Sequence, residues 1–201
     1  MKTKGTTNKV SKINFWRIGE DKVPNDLKEM VFDQFYNRDT LYVYCDSSCS
    51  KTNNFMAVAC TYVRNGSQII KKQPVYAPQD CIGKNIYGEL KSVCFGLLNF
   101  KNSLAGSNNS VILFSDVNDI ERILSKELVF NNNDSLKKIQ MELITLYERK
   151  KIENPKLRIE IKYLPLHYRR HNPFMKASHN ASRKILRRNL HLWQLMEDWK
   201  W

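Results

Sequence analysis

The sequence predicts an α/β fold in which a mixed five-stranded sheet carries helices on both faces, with an arm ahead of it. Three observations carry that prediction. Residues 41–45 alternate Leu41, Val43 and Cys45 with Tyr42 and Tyr44, a period of two in strand-favouring residue types. Val111–Phe114 is a short, wholly apolar run of the kind a buried parallel strand shows. Around these runs, apolar residues recur at helical spacing in several longer stretches. The resulting order is strand, strand, strand, helix, strand, helix, helix, strand, helix.

The totals set the frame. At 201 residues, with 42% hydrophobic and 11% aromatic residues, the chain suits one folded domain with a substantial core plus appendages. These divide into a basic tail and arm over 1–38, the main domain over 39–190 and an aromatic tail over 191–201. No apolar run approaches the roughly 18–20 residues that span a bilayer, so no membrane insertion is expected. The first residues, MKTKGTTNKVSK, lack the apolar region of a secretory signal, and a cytoplasmic protein is the expectation. Thirty-three Lys and Arg against 20 Asp and Glu give a net charge of +13. Such an excess favours a polyanionic partner, nucleic acid first and an anionic membrane surface behind it. The five cysteines are odd in number and contain no CxxC pair, so neither a disulfide framework nor a zinc site is indicated.

Each element has its own signal. Within Ile13–Asn37, Leu27, Met30, Val31 and Phe35 sit at helical spacing behind Pro24 and Asp26, which suit a helix start. This arm either packs on the main domain or docks a protein partner. The first strand, 41–45, stops at Asp46 and the loop formers Ser47, Ser48 and Ser50. A second apolar run, Phe55–Val63, reaches a turn at Asn65-Gly66, so the two form a hairpin. A third strand over Gln68–Val75 carries Pro74 and belongs at an edge. A helix over about 86–100 presents Leu90, Val93, Cys94, Leu97 and Leu98 on one face. After Val111–Phe114, a helix from Asn118 turns Ile120, Ile123, Leu124 and Leu128 inward, and another spans Ser135–Lys151. Arg158–Leu164 alternates as the fifth strand. A basic, His-rich loop and a helix from about Lys176 to Leu190 follow. Trp193, Trp199 and Trp201 in the tail either pack or bind.

Three carboxylates fall where such a sheet brings positions together. Asp46 ends the first strand, and Asp116 ends the next parallel one, which crossover connections tend to place alongside. Glu89 lies in the first turn of the intervening helix, on the side of Leu90 and Val93. Ligand sites in open α/β sheets lie at the carboxyl ends of strands. An Asp there either caps a turn or takes part in a charged site. Three like charges within a few Å are strongly destabilising without a cation, and oxygen-only ligands select Mg²⁺ or Mn²⁺. Paired metals of that kind organise in-line displacement at phosphorus.

At this point the sequence resembles the ribonuclease H family, type 1. YVYCDSS is similar to the family's "DGS" strand, NIYGELKSVCFGLL to its Glu-bearing helix and LFSDVNDI to its "SDS" strand. IKYLPLHYRRHNPFMKASHNAS resembles its last strand, His-bearing loop and final helix, so the likeness covers about residues 41–190. It implies a ribonuclease-H-like sheet and an endonuclease that cuts the RNA strand of RNA/DNA hybrids. It implies that Asp46, Glu89 and Asp116 bind two Mg²⁺ ions, with Mn²⁺ as a substitute. It also implies that a loop His moves protons or helps product leave, with His167 at that place and His171 as a competitor. Ser48, Asn85 and Asn118 fall where the family touches the hybrid; either Asn is alternatively a helix cap. Arg169, Arg170 and Lys176, with Arg183, Lys184, Arg187 and Arg188 beyond, offer phosphate contacts.

Two departures stand out. Ser47 replaces the glycine of "DGS", which would be strained if that turn needed positive φ. His179 stands at the fourth acidic position, as a metal-site residue or a solvent-facing helix His. An imidazole there removes one negative charge and suits Mn²⁺ better than Mg²⁺. The alternatives to a hybrid-specific ribonuclease are a catalytically weak nucleic-acid-binding module of the same fold, or a related DNA nuclease or resolvase.

Overall fold

Strand β1 (Thr40–Cys49) is the middle strand of a five-stranded sheet with the order β3-β2-β1-β4-β5. The computed structural model describes residues 13–16, 19–104, 106 and 108–198, with 190–198 described as helix backbone. β1 pairs antiparallel with β2 (Phe55–Arg64), from Tyr42 opposite Val63 to Cys49 opposite Met56. β2 in turn pairs antiparallel with β3 (Ser67–Tyr76). The link between them is the Asn65-Gly66 turn, where φ is 41° and 74°, the positive values that a tight two-residue hairpin turn demands. On its other side β1 runs parallel to β4 (Ser110–Ser115), and β4 runs parallel to β5 (Arg158–Tyr163). The mixed sheet read from the sequence is therefore present, with Pro74 on the edge strand, where a missing N–H breaks no further ladder.

Both faces of β1 are covered, and its alternation sorts side chains between two cores. Leu41, Val43 and Cys45 join a cluster with Leu90, Val93 and Leu97 of α2 (Asn85–Asn99) and Leu143 of α4 (Asp134–Glu153). Tyr44 enters the opposite cluster, with Leu27, Val31 and Phe35 of α1 (Asn25–Tyr36) and Phe174 of α6 (Pro173–Asp198). Each fully buried Leu, Val or Phe contributes roughly 1.5–3 kcal/mol. Tyr44 is buried whole because its hydroxyl donates to Gln34 and accepts from Asn172.

The arm uses its apolar residues internally. Phe15 meets Phe35 and Phe174 edge-on, and Trp16 Nε1 donates to the His171 carbonyl at 2.7 Å. Residues 1–12 and 199–201, and the side chain of Trp193, lie outside the described residues.

Several elements differ from their sequence-based bounds. β1 does not stop at Asp46 but continues to Cys49, because β2 still pairs with it after β4 has ended. Ser47 is thus extended, and the described non-glycine residues with positive φ are Asn65 and Lys126, so the strain expected at Ser47 is absent. The helix from Asn118 shrinks to α3 (Ile120–Leu124), since Lys126 turns left-handed directly after it. Leu128 therefore reaches the core from a loop, which Gln140 of α4 holds by donating to the carbonyls of Ile123 and Leu128. Leu98 is exposed rather than inward. α6 starts earlier than Lys176, where the Asn172 side chain accepts from the amides of Phe174 and Met175. It also runs past Leu190 to Asp198.

Candidate active site

Sheet register brings the first two carboxylates together. The last β1–β4 pair is Tyr44 opposite Phe114, and Asp46 and Asp116 each stand two residues past it. Adjacent strands lie about 4.8 Å apart, so these side chains emerge side by side where the strands part. Asp46 is almost fully buried and Asp116 partly so.

α2 supplies the third carboxylate, and glycines let it approach. A Cβ at Gly88 would lie 2.6 Å from Ser47 Oγ, and one at Gly96 would lie 2.9 Å from Cys45 Sγ. With hydrogen in both places, the helix lies close on β1 and delivers Glu89 into the gap. Ser47 Oγ donates to Glu89 Oε1 at 2.7 Å. Burial pushes the Glu89 carboxyl well above the usual carboxylate range, and the charges of Asp116 and Asp46 push it further. Burial also raises Asp116, against the pull of the adjacent Glu89 side chain and of the Arg169 guanidinium.

α6 and the short α5 (Leu166–Arg169) close the site from the other side. Ser182 Oγ donates to Asp46 Oδ2 at 2.8 Å, and His179 Nδ1 stands 3.4 Å from the same oxygen. The Asp46 carboxylate beside it raises the His179 pKa, with burial opposing. Arg169 donates to Asp116 Oδ2 at 2.9 Å. One oxygen of each carboxylate is thereby engaged. Glu89 Oε2 and Asp116 Oδ1 are buried without a hydrogen-bond partner.

These orphaned oxygens test the fit of a metal. Unpartnered buried carboxylate oxygens are costly, and hard divalent cations prefer such donors. The donor set therefore fits Mg²⁺ or Mn²⁺. The fit is incomplete as the side chains stand: among the described residues, no three His, Cys, Asp or Glu side chains form a ready ligand group for one ion. Arg169 meanwhile holds the other oxygen of Asp116, Oδ2, at 2.9 Å.

The three carboxylates, Ser47, Arg169 and His179 face one open cleft of about 1270 Å³. Asp46, Ser48, Asn85, Glu89, Asp116, His167, Arg169, Arg170, Lys176 and His179 line it, as the sequence reading grouped them. Asn118 does not line it; it is exposed in the turn before α3. Neither Asn caps its helix, since Lys84 and Asp119 occupy those positions. The Ser48 hydroxyl is 2.8 Å from that of Ser182, turned into the protein rather than toward a ligand. His167 faces the cleft and His171 does not, its carbonyl being held by Trp16. Sequence reasoning missed Lys51, which also lines the cleft and lies in a polar turn with no signal beyond its charge. It also missed Ser182, whose only signal is its place one turn after His179.

No protein-family model and no curated protein matches the chain. Solved structures do match. The chain is similar to the N-terminal RNase H domain of a Mycobacterium tuberculosis protein, at 12% identity and a TM-score of 0.52, over 75% of this chain and 99% of that one. It is similar to LC11-RNase H1 in complex with an RNA/DNA hybrid, at 13% identity and a TM-score of 0.51, over 73% and 99%. A second structure of LC11-RNase H1, isolated from compost by a metagenomic approach, matches at 15% identity and a TM-score of 0.50, over 74% and 99%. The chain has a ribonuclease H-like fold. Within this ribonuclease H-like fold, the parting of β1 and β4 positions Asp46 and Asp116, and close packing of α2 positions Glu89.

Proposed function

We propose that the chain is a metal-dependent endonuclease that hydrolyses the RNA strand of RNA/DNA hybrids. One observation carries the reading: Asp46 and Asp116 each lie two residues past the last β1–β4 pair and line one cleft with buried Glu89, leaving orphaned oxygens among cationic side chains. Keeping such a cluster without a counter-charge is unfavourable, and nuclease chemistry explains why it exists.

Asp46, Glu89 and Asp116 would hold two Mg²⁺ ions, or Mn²⁺ in their place, with His179 beside Asp46. When bound, such ions activate water and stabilise the leaving oxygen at phosphorus. The protein's own groups do the rest. Ser47 and Ser182 orient Glu89 and Asp46 through hydrogen bonds. Arg170 and Lys176 bind backbone phosphates, and Arg169 moves between Asp116 and a phosphate. Asn85, exposed at the cleft edge, is suited to touch a base edge or a 2′-hydroxyl. His167, which lines the cleft from α5, would carry a proton to the departing product.

The test is cleavage of labelled RNA/DNA hybrid, double-stranded RNA and double-stranded DNA, each with Mg²⁺, Mn²⁺ or chelator. Metal-dependent loss of the RNA strand from the hybrid alone is the expected result. Selective cutting of DNA would move the reading to a related DNA nuclease. A second reading has an observation of its own: Arg169 seated on Asp116, with His179 at the fourth position, suits a catalytically weak nucleic-acid-binding module. Binding to the hybrid without cleavage in either metal would establish that reading instead.

A further inference from the structure

The sequence from Ile161 to Met196 contains no Asp or Glu, yet it contains Lys162, Arg169, Arg170, Lys176, Arg183, Lys184, Arg187 and Arg188. Those on α6 fall into a pattern that the active cleft does not absorb. Lys176, Asn180, Arg183 and Arg187 recur at steps of four, three and four, which in a helix is a single face. Lys184 flanks that stripe. Phe174, Ser178, Ala181 and Ser182 are buried on the opposite side, so the stripe is committed to the outside by packing. Asn180, Arg183, Lys184 and Arg187 are all exposed. Among the described residues, no carboxylate forms an ion pair with Lys176, Arg183, Lys184 or Arg187.

The stripe also has shape. Asn180, Arg183, Lys184 and Arg187 line a shallow depression of about 350 Å³. Arg183 lines both this depression and the active cleft, so the two adjoin at that side chain. Arg187 lies eight residues beyond His179, about 12 Å along the helix axis. That distance corresponds to roughly three or four nucleotides of duplex rise at about 3.4 Å each.

We infer that this face of α6 is a second phosphate-binding subsite, which grips the sugar–phosphate backbone of the bound duplex several nucleotides from the bond being cut. It rests on the nucleic-acid reading of the cleft and extends it: the substrate is a duplex that runs on beyond the cleft, not a short oligonucleotide held at its centre. An anionic membrane is the competing polyanion. Adjacency to the cleft at Arg183 favours nucleic acid, because a membrane would have no reason to follow the stripe into an acidic site.

The experiment measures binding of a fluorescent 20-base-pair RNA/DNA hybrid to the full chain in chelator, so that nothing is cut, across a range of salt. It compares wild type with Lys184→Ala/Arg187→Ala, and with Lys137→Ala/Lys138→Ala, which removes the same charge from exposed positions on α4. The expected result is binding roughly tenfold weaker for the α6 pair, with a salt slope shallower by about 1–2, since each phosphate contact contributes about 0.9. The α4 pair keeps the wild-type slope. An unchanged slope in the α6 pair, or an equal change in the α4 pair, overturns the subsite. Loss of binding to phosphatidylserine vesicles in the α6 pair, with hybrid binding intact, transfers the face to a membrane and also overturns it. Wild-type cleavage of the same hybrid in Mg²⁺ separates the two levels. If it cuts while the α6 slope is unmoved, only the subsite fails; if wild type neither cuts nor binds, the functional reading fails with it.

Discussion

Ser47 donates its hydroxyl hydrogen to Glu89 at 2.7 Å, and it has room to stand there because Gly88, one residue earlier on α2, has no side chain. The two positions form a lock between strand and helix. Gly88→Ala should destabilise the protein by about 1–3 kcal/mol, as overpacking in a close contact does. Ser47→Gly removes the nearest atom that the new methyl would meet, leaving Cys49 Sγ at 2.8 Å, so the double variant should recover part of the loss, with a coupling of at least about 0.5 kcal/mol. Urea unfolding of the four proteins measures it. Strict additivity would show that the contact does not control the approach of α2.

Glu89 is the carboxylate whose charge the fold supports least. Its neutral amide in Glu89→Gln should raise the melting temperature of the metal-free protein by roughly 2–6 °C, on a scale of about 2–4 °C per kcal/mol for a chain this size. The same change should remove the stabilisation that Mg²⁺ confers on wild type. Asp116→Asn should reduce cleavage by a factor on the order of 10³ while leaving circular dichroism unchanged. Thermal melts with and without Mg²⁺ decide the first claim. A lower metal-free melting temperature for Glu89→Gln would refute it.

Under the proposed function, metal and substrate make opposite demands on Arg169. Replacing it by Gln frees Asp116 Oδ2 from its 2.9 Å contact. The Mg²⁺ concentration giving half-maximal activity should then fall by about threefold, because a competing cation is gone. The KM for hybrid should rise by about fivefold, because a phosphate ligand has gone with it. An unchanged value of either quantity would mean that Arg169 serves only the other.

His179 Nδ1 stands 3.4 Å from Asp46 Oδ2. His179→Asp should support Mg²⁺-dependent cleavage at least as well as wild type, and should narrow any advantage of Mn²⁺ over Mg²⁺, since a carboxylate suits the harder ion. Rates in the two metals test this. A collapse of activity in both would assign the imidazole a role of its own, as a proton carrier.

Much of this architecture was legible before any coordinates. Alternation at Leu41–Cys45 placed a strand, and because both faces of it are packed, the pattern divides Val43 from Tyr44 between two cores. The apolar run Val111–Phe114 read as a central parallel strand for the same reason. Errors fell where local signals compete. Ser47 and Ser48 resemble loop formers, yet β2 extends β1 through them, and their hydroxyls find partners in Glu89 and Ser182. Leu124 and Leu128 fit a helical period, but Lys126 breaks it and Gln140, far along the chain, secures the loop.

The sequence by itself determined the order of elements, the three carboxylates and the excess of positive charge, because periodicity, residue chemistry and net charge are properties of the chain. The closing of the fold is what sets Asp46 and Asp116 each two residues past the same strand pair, seats Arg169 on Asp116, and brings Trp16 to His171 across 155 residues. Those are distances between segments remote in sequence. They are fixed by how sheet pairing and side-chain packing close the molecule, and no local pattern carries them.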